Sequence, residues 1–309
     1  NDTVGKAGLE QYYETYLRGK NGEQKFYIDN VGRISEIISS TDSVAGDDLY
    51  LSIDADLQKA TYLALQNEIA AIVYSNIKSG EIPINDVYTA LIGNSVINTE
   101  HFSKAKASDT EKNVLSVFKS RQKTTLGKIK QELTSSPEAL NTMSDEVLDE
   151  FTYIISMLKD DQVLLKNEID TSDSVYQKWK NQKISPKEYL SYCITQHWID
   201  ISQLNVDEKY ADSTEVYDAL CKYILKNIKT DTEFSKIIYQ YMITRGEISP
   251  RQLCLILFDQ GVLDYDDATV NKLKNGSLSP RDFLMKKIYN IEITPAQLAL
   301  EPCTGSSAS

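Results

Sequence analysis

The stretch LYLSIDADLQKATYLALQNEIAAIVYSNIKS, residues 49–79, decides the fold. Its first five residues, LYLSI, are rich in apolar residues and predict a β-strand. From there to about Ser79 the pattern is helical, with Asp54 as the predicted N-cap because its carboxylate can accept hydrogen bonds from the free amides of the first turn. The apolar positions of this helix form one stripe: Leu57, Ala60, Ala64, Ile69, Ile72, Val73 and Ile77. The stretch therefore marks a change from strands before it to helices after it.

The residues before this stretch predict a small region that mixes helix and strand. A short helix is predicted up to Gly19, which ends it. QKFYID (24–29) and RISEIIS (33–39) then predict two strands joined by the turn Asn30-Val31-Gly32. The apolar positions of the short helix are Leu9, Tyr12, Tyr13, Tyr16 and Leu17.

The residues after Ser79 predict helices joined by turns, and no strand. The clearest helices begin at Ser144 and Ser213, each with an apolar face at helical spacing. The predicted fold class is therefore α+β and mostly α: a small mixed subdomain, a long linker helix, and an all-α part.

One short sequence motif recurs in the helical part: an aliphatic residue, a hydroxyl residue and proline, which we call the hydroxyl-proline motif. The hydroxyl is a predicted N-cap, proline suits the first helical position, and the aliphatic residue packs on the first turn. Glu188, Gln252 and Gln297 lie three residues past a cap and predict capping boxes. The spacing between prolines is uneven, roughly 64, 30 and 15 residues, whereas a solenoid needs a fixed period. The copies are Ile184-Ser185-Pro186, Ile248-Ser249-Pro250, Leu278-Ser279-Pro280 and Ile293-Thr294-Pro295, with a weaker one at Ile82-Pro83.

The overall charge restricts the classes of partner. The chain has 45 acidic and 33 basic residues and a formal net charge of −12. Because this balance repels phosphate backbones and anionic lipid, we expect no nucleic-acid partner and no direct contact with a bilayer surface. No apolar run reaches the roughly 20 residues that cross a membrane, and no signal peptide opens the chain. The protein is therefore either cytosolic or a piece cut away from its anchor.

The four cysteines point to no metal or redox chemistry. Their spacing contains no CxxC. Three lie on apolar helical faces and are predicted to be buried: Cys193, Cys221 and Cys254. Cys303 lies in a tail rich in glycine and serine.

The search for catalytic groups is negative. The histidines His101 and His197 lie far apart in sequence, and His197 is interpreted as a packed or surface residue. The acidic residues Asp264, Asp266 and Asp267 lack the glycine and glutamate of a calcium-binding loop and predict a turn or helix cap. No dinucleotide-binding, P-loop or hydrolase-elbow motif occurs. We therefore expect no catalytic residue, metal or cofactor in this chain.

Two short matches to the motifs of penicillin-recognising enzymes are interpreted as coincidence. Ser116 and Lys119 fit S-x-x-K, and Lys78-Ser79-Gly80 fits K-[ST]-G. Their order is reversed relative to that of these enzymes, and no S-x-N triplet occurs. Ser116 also lies inside a predicted helix rather than at its start.

A longer series of residues carries a family resemblance. GLEQYYETYLRGKNGEQKFYIDNVGRI (8–34) and AGDDLYLSIDADLQKATYLAL (45–65) resemble the membrane-proximal pedestal of class B penicillin-binding proteins, over about residues 5–66. That family reads G-x-E-x-x-Y-x-x-x-L-x-G-x-x-G, a hairpin, and then L-x-L-[TS]-I-D-x-x-L-Q after a glycine. The matching residues are Gly8, Leu9, Glu10, Tyr13, Leu17, Gly19, Gly22, Gly46, Leu49, Leu51, Ser52, Ile53, Asp54, Leu57 and Gln58.

The resemblance implies a domain organisation. It gives a pedestal or dimerisation subdomain with its linker helix at 1–79, a helical insertion at 80–297, and at 298–309 the start of a linker into a transpeptidase domain that this chain lacks. The family plan usually leaves only a few residues where the insertion lies. Such an insertion is similar to that of some members from clostridial-type Gram-positive bacteria.

The resemblance also implies a function for the parent protein. The parent would be a serine-type D-Ala-D-Ala transpeptidase that cross-links peptidoglycan at the extracytoplasmic face of the plasma membrane, held by an N-terminal transmembrane helix outside this chain. The present region would position the catalytic domain, contact other cell-wall synthesis or division proteins, and bind no penicillin itself. Upstream the family carries the first part of the pedestal, with an R-G-x-I-x-D-R segment.

Two other functions stay open. The chain could be a free-standing helical adaptor with a recruited pedestal-like module, which a stop codon after Ser309 would favour. It could also be a divergent enzyme that uses Ser116 with Lys119, which labelling by a fluorescent penicillin would test.

Overall fold

The computed structural model describes residues 4–29, 33–135, 138–206 and 211–300. The chain divides into two compact units, residues 1–62 and 63–309, which we call unit 1 and unit 2. Among the described residues, no helix combines the length and apolar character needed to cross a bilayer. The predicted class, α+β and mostly α, is confirmed.

Unit 1 contains two short helices and an antiparallel hairpin. The helices are α1 (Gly8–Tyr12) and α2 (Glu14–Leu17), and the strands are β1 (Glu23–Ile28) and β2 (Ile34–Thr41). The strands pair with Glu23 opposite Thr41 and Ile28 opposite Ile34, with two register irregularities between those ends. Both predicted strands are confirmed, whereas the predicted turn at 30–32 lies outside the described residues.

The strand predicted at LYLSI is wrong. Residues 49–53 form no strand, and the sheet of the described residues has only the two strands β1 and β2. A strand needs a neighbour to accept and donate its backbone hydrogen bonds, and no described residue pairs with this segment. Its side chains are exposed, at 89% for Tyr50 and 58% for Ile53.

The long helix α3 (Ala55–Ser79) begins and ends as predicted, but its apolar stripe is only partly buried. The predicted cap is confirmed: Asp54 Oδ1 accepts hydrogen bonds from the amides of Asp56 and Leu57, each at 3.0 Å. Burial is confined to the C-terminal part of α3, at Ala70, Val73 and Ile77. The start of the stripe faces solvent, with Leu57 66% exposed. Helical spacing predicts which residues share a face, but not whether another element covers that face.

Unit 2 is helical, and its only strand-like feature among the described residues is an isolated bridge between Leu164 and Ile199. Its buried residues form one hydrophobic cluster. Within this cluster, Tyr239 stacks on Phe118, with ring centroids 4.2 Å apart. The helices are α4 (Ile84–Gly93), α5 (Asp109–Thr134), α6 (Asp145–Asp160), α7 (Ser174–Lys180), α8 (Pro186–Thr195), α9 (Ser213–Ile228), α10 (Thr232–Thr244), α11 (Pro250–Asp259), α12 (Asp267–Asn275) and α13 (Pro280–Tyr289), with short 3-10 helices at Thr99–Ser103, Leu140–Thr142 and Ile201–Gln203.

The hydroxyl-proline motif starts helices as predicted, with two differences. Ser185, Ser249 and Ser279 each accept a hydrogen bond from the amide three residues on, at 3.0–3.3 Å. The capping box predicted with Glu188 is wrong, because the exposed Glu188 side chain does not bond back to the cap. Thr294 and Gln297 form the reciprocal bonds of a capping box: Thr294 N donates to Gln297 Oε1, and Gln297 N donates to Thr294 Oγ1. A turn follows there instead of a helix.

The hydroxyl-proline motif also follows directly on the end of the preceding helix. A residue with positive φ stands two positions before the aliphatic residue, such as Gly246 (φ 74°) or Gln182 (φ 59°). This backbone turn returns amides to the last carbonyls of the helix: Ile248 N donates to Met242 O at 3.3 Å. Ile248 itself is fully buried. Each copy is therefore the second half of one helix-stop and helix-start turn.

The three cysteines predicted to be buried are buried, and Cys303 lies outside the described residues. Burial raises the pKa of the Cys193 and Cys254 thiols to about 12 and that of Cys221 to about 11. These thiols are therefore core residues that stay protonated at neutral pH.

The beginning and the end of the described part of unit 2 lie side by side. Arg281 Nη2 donates to Ile77 O at 3.1 Å, and Asn94 Nδ2 donates to Leu298 O at 2.8 Å. These contacts join residues that are about two hundred positions apart in the sequence, so segments near the two ends of unit 2 lie close together.

Candidate functional site

Three family-motif glycines hold unit 1 together at one point. We call this contact between residues 16–22 and 41–47 the glycine junction. A Cβ atom on Gly46 would lie 1.9 Å from the carbonyl oxygen of Leu17, and one on Gly19 would lie 2.4 Å from Val44 O. A Cβ on Gly22 would lie 2.9 Å from Ser43 N. The two chain segments therefore touch backbone to backbone, and only glycine leaves room for that approach.

Backbone hydrogen bonds close the glycine junction. Lys20 and Val44 exchange two bonds, Lys20 N to Val44 O at 2.8 Å and Val44 N to Lys20 O at 2.9 Å. Asp47 N donates to Tyr16 O at 2.8 Å. Gly19 also needs its left-handed backbone, with φ 68°. The junction fixes the end of α2 on the segment that follows β2.

The other N-terminal motif residues lie on α1 and next to it. Gly8 opens α1 with φ 58°, and open space surrounds its Cβ position, so its backbone conformation alone favours glycine. The Glu10 side chain is exposed. Tyr13 separates α1 from α2, and its ring packs edge-on against Tyr12 at 4.8 Å between centroids.

A contact that the sequence did not predict joins the start of the chain to α2. Gly5 N donates to Glu14 Oε2 at 2.8 Å, and a Cβ on Gly5 would lie 2.3 Å from the Glu10 carbonyl oxygen. The other carboxylate oxygen of Glu14 is buried without a hydrogen-bond partner among the described residues. A glycine nine residues before a glutamate is no recognised motif, so the sequence pattern held no signal for it.

The remaining motif residues surround the start of α3 rather than the junction. Asp54 is the cap described above, and Gln58 N donates to its carbonyl at 2.9 Å. Ile53 and Leu57 are 58% and 66% exposed. The structure thus assigns local backbone roles to the glycines and Asp54, whereas the apolar motif residues have no cover among the described residues of unit 1. Functional roles for these residues stay predictions.

The two catalytic-looking matches lie on different clefts of unit 2. Lys119 lines a groove of α5 and α9, whereas Lys78 lines a cleft formed with α13. Ser79 Oγ donates to Asn76 O at 3.0 Å, and Ser116 lies on the exposed side of α5. The interpretation as coincidence agrees with this separation.

His101 has a buried carboxylate partner. Its Nδ1 lies 2.7 Å from Glu111 Oε1, which also accepts a bond from Gln260 Nε2 at 2.8 Å. Burial by itself would raise the pKa of Glu111, but the bonds from Gln260, Ser108 N and His101 outweigh it and lower the pKa. No serine, threonine or cysteine of the described residues bonds to His101, so the pair lacks a nucleophile. The described residues also contain no cluster of three metal-ligating side chains.

Most of unit 1 matches a known protein family. The model of the penicillin-binding protein dimerisation domain matches residues 1–51. The peptidoglycan D,D-transpeptidase MrdA of Salmonella typhimurium strain LT2 is 34% identical over 79 residues, which are 26% of this chain and 13% of that protein. The peptidoglycan D,D-transpeptidase FtsI of Escherichia coli K12 is 34% identical over 114 residues, 37% of this chain and 19% of that protein.

These matches cover a minor part of each protein. MrdA of Haemophilus influenzae strain Rd is 33% identical over 79 residues, 26% of this chain and 12% of that protein. The chain thus spans less than a fifth of the length of these relatives, and no solved structure matches it significantly. The glycine junction lies wholly inside the matched residues 1–51. Together the matches and the motif residues support a class B penicillin-binding-protein pedestal region at the N-terminal end of this chain.

Proposed function

We propose that unit 1 is the non-catalytic pedestal of a membrane-anchored class B penicillin-binding protein, which positions a D,D-transpeptidase domain for peptidoglycan cross-linking. The observation that carries the proposal is the dimerisation-domain match at residues 1–51, which contains the glycine junction. The relatives are peptidoglycan D,D-transpeptidases by name. By this proposal the acyl-transfer chemistry belongs to a serine-type domain of the parent, at the extracytoplasmic face of the plasma membrane.

The exposure of unit 1 supports a pedestal with more parts than this chain. No described residue between 4 and 62 is buried, and the hairpin leaves Ile28, Ile34 and Ile37 more than half exposed. A two-stranded hairpin is at best marginally stable alone in water. By the proposal, the hairpin is completed by the first pedestal segment of the parent, which carries the R-G-x-I-x-D-R residues.

We propose that the helical residues 80–297 are an insertion between the linker helix and the catalytic domain. The adjacency of Ile77 to Arg281 and of Asn94 to Leu298 supports this, because a domain whose ends meet can be inserted without parting its host. The proposed source, a clostridial-type Gram-positive bacterium, rests on this insertion alone. Contacts with other cell-wall synthesis or division proteins are part of the same proposal.

The test uses the complete gene product and one glycine. Gly46→Ala brings a methyl group into the Leu17 carbonyl, so we expect cross-linking in cells to fall while a fluorescent penicillin still acylates the catalytic domain. Glu188→Ala, at an exposed position of α8, is the control. If the complete product contains no S-x-x-K motif outside residues 1–309 and takes up no penicillin, the proposal fails.

A free-standing helical adaptor is the second candidate. The dimerisation-domain model ends at residue 51, so it matches none of unit 2, where the hydrophobic core lies. A stop codon after Ser309, together with a cellular partner retained by residues 63–309 alone, would favour the adaptor over the pedestal.

A further inference from the structure

Unit 2 carries a basic strip on a chain that is strongly acidic overall. Residues 112–131 of α5 contain no acidic residue, and neither do residues 219–230 at the end of α9. Both segments belong to helices that pack against each other. The basic residues in them are Lys112, Lys119, Arg121, Lys123, Lys128, Lys130, Lys222, Lys226 and Lys229. Such segregation contrasts with the net charge of −12 for the whole chain.

Four of these lysines line one groove between α5 and α9, with a volume of about 510 Å³. We call it the lysine groove, and its four lysines are Lys119, Lys123, Lys130 and Lys229. All four are exposed, and none forms an ion pair with a carboxylate of the described residues. At helical rise, Lys119 and Lys130 lie about 16 Å apart along α5. The groove therefore presents a positive rim with no internal counter-charge.

The floor of the lysine groove is apolar. Leu126 and Leu225 line it from the two helices, and both are partly buried against the core. A surface for a simple polyanion needs charge alone, as in phosphate-backbone contacts. Leucines between lysines instead fit a partner that has apolar and acidic side chains on one face.

A glycine on the same floor favours close approach of a partner chain. Gly127 lies inside α5, lines the lysine groove, and has open space around its Cβ position. Glycine inside a helix costs about 1 kcal/mol relative to alanine, and no packing contact of the described residues requires it here. The missing side chain widens the groove between Lys123 and Lys130.

We propose that the lysine groove binds an acidic amphipathic segment of a partner protein. Leucine-type side chains of the segment would contact Leu126 and Leu225, its backbone would approach Gly127, and its carboxylates would pair with the four lysines. All of these groups lie in unit 2, so the proposal is independent of the pedestal function of unit 1.

The test measures binding of a synthetic probe to the full chain. The probe is a fluorescein-labelled helical peptide with four glutamates and three leucines on one face, followed by fluorescence anisotropy at low and high salt. We expect saturable binding that weakens at least about tenfold at high salt, because exposed charges are screened. Lys119→Glu combined with Lys123→Glu should also weaken it at least about tenfold.

Matched controls separate the groove from net charge. Lys272→Glu combined with Lys274→Glu makes the same charge change on exposed residues of α12 and should leave binding unchanged. Gly127→Leu should weaken binding while the chain stays folded by circular dichroism. Absence of binding, equal loss in the α12 control, or equal binding of a scrambled peptide would each overturn the proposal. So would tighter, lysine-dependent binding of polyphosphate or of phosphatidylcholine vesicles that contain phosphatidylglycerol.

Discussion

The substitution Glu150→Gln tests whether the core of unit 2 keeps the carboxyl group of Glu150 protonated at neutral pH. Glu150 lies on α6, is 1% exposed, and its Oε1 has no hydrogen-bond partner among the described residues. Burial and the charge of Glu146 raise its pKa to about 8, against the opposing charges of Lys128, Arg121 and Arg245. Glu146 engages two of these cations: Arg121 Nη2 donates to its carboxylate at 2.7 and 2.8 Å, and Arg245 Nη2 at 2.6 Å.

The raised pKa makes the folded chain less stable as pH rises. In the unfolded chain Glu150 has the ordinary pKa of 4.5, so between pH 4.5 and about 8 the folded state keeps a proton that the unfolded state has released. The stability from this group is complete below pH 4.5 and is lost as pH rises through about 8. At about 1.4 kcal/mol per pH unit, the upper bound is about 5 kcal/mol. Water entry around the ionised carboxylate reduces the expected effect to about 2–3 kcal/mol.

Urea unfolding followed by far-UV circular dichroism measures this effect. Glutamine keeps the shape and cannot ionise, so the variant should exceed the wild type in free energy of unfolding by about 2–3 kcal/mol near pH 8.5, and differ by less than about 1 kcal/mol near pH 5. Glu188→Gln, at an exposed carboxylate of α8, is the control and should show no such pH dependence. A difference between Glu150→Gln and wild type that is equal at both pH values would refute the reasoning.

Three further outcomes are expected. His197 is exposed with φ 58°, so His197→Gly should raise the free energy of unfolding by about 0.5–1 kcal/mol, whereas Gly246→Ala at φ 74° should lower it by about 1 kcal/mol in the same urea assay. Asp54→Ala removes two cap bonds and should destabilise the first turn of α3 by about 1 kcal/mol, seen as faster amide hydrogen exchange there, while Asp54→Asn should retain most protection. In a Cys303→Ser chain, the three buried thiols should stay unlabelled by a thiol reagent until urea unfolds the chain, and labelling of the folded chain would contradict their burial.

Local patterns predicted the elements of this chain where the physics is local. Residues close together in the sequence predicted the two hairpin strands. They also predicted the Asp54 cap and the starts of α8, α11 and α13. LYLSI failed because a strand depends on a neighbouring chain, which no local pattern contains. The first half of the apolar stripe of α3 is exposed, because spacing identifies the residues that share a face but does not reveal what covers that face.

The helix ends and the buried charges were beyond the sequence for different reasons. Gln182 and His197 adopt the left-handed backbone conformation that glycine usually adopts. The helix ends at these two residues therefore cannot be recognised from the residue type. Arg121 and Glu146 are 25 residues apart, and their pairing depends on how α5 packs on α6. Of the candidate site, the glycines were predicted as motif residues, but the close backbone approach that requires them is visible only in three dimensions.

The meeting of the two ends of unit 2 determines how the unit would carry mechanical load. If tension entered along α3 and left near Leu298, the contacts of Ile77 with Arg281 and of Asn94 with Leu298 would carry it first. While those contacts hold, the helices between them are bypassed and feel almost no pull. Under such a load, unit 2 would keep its fold, and with it the lysine groove, for as long as these contacts hold.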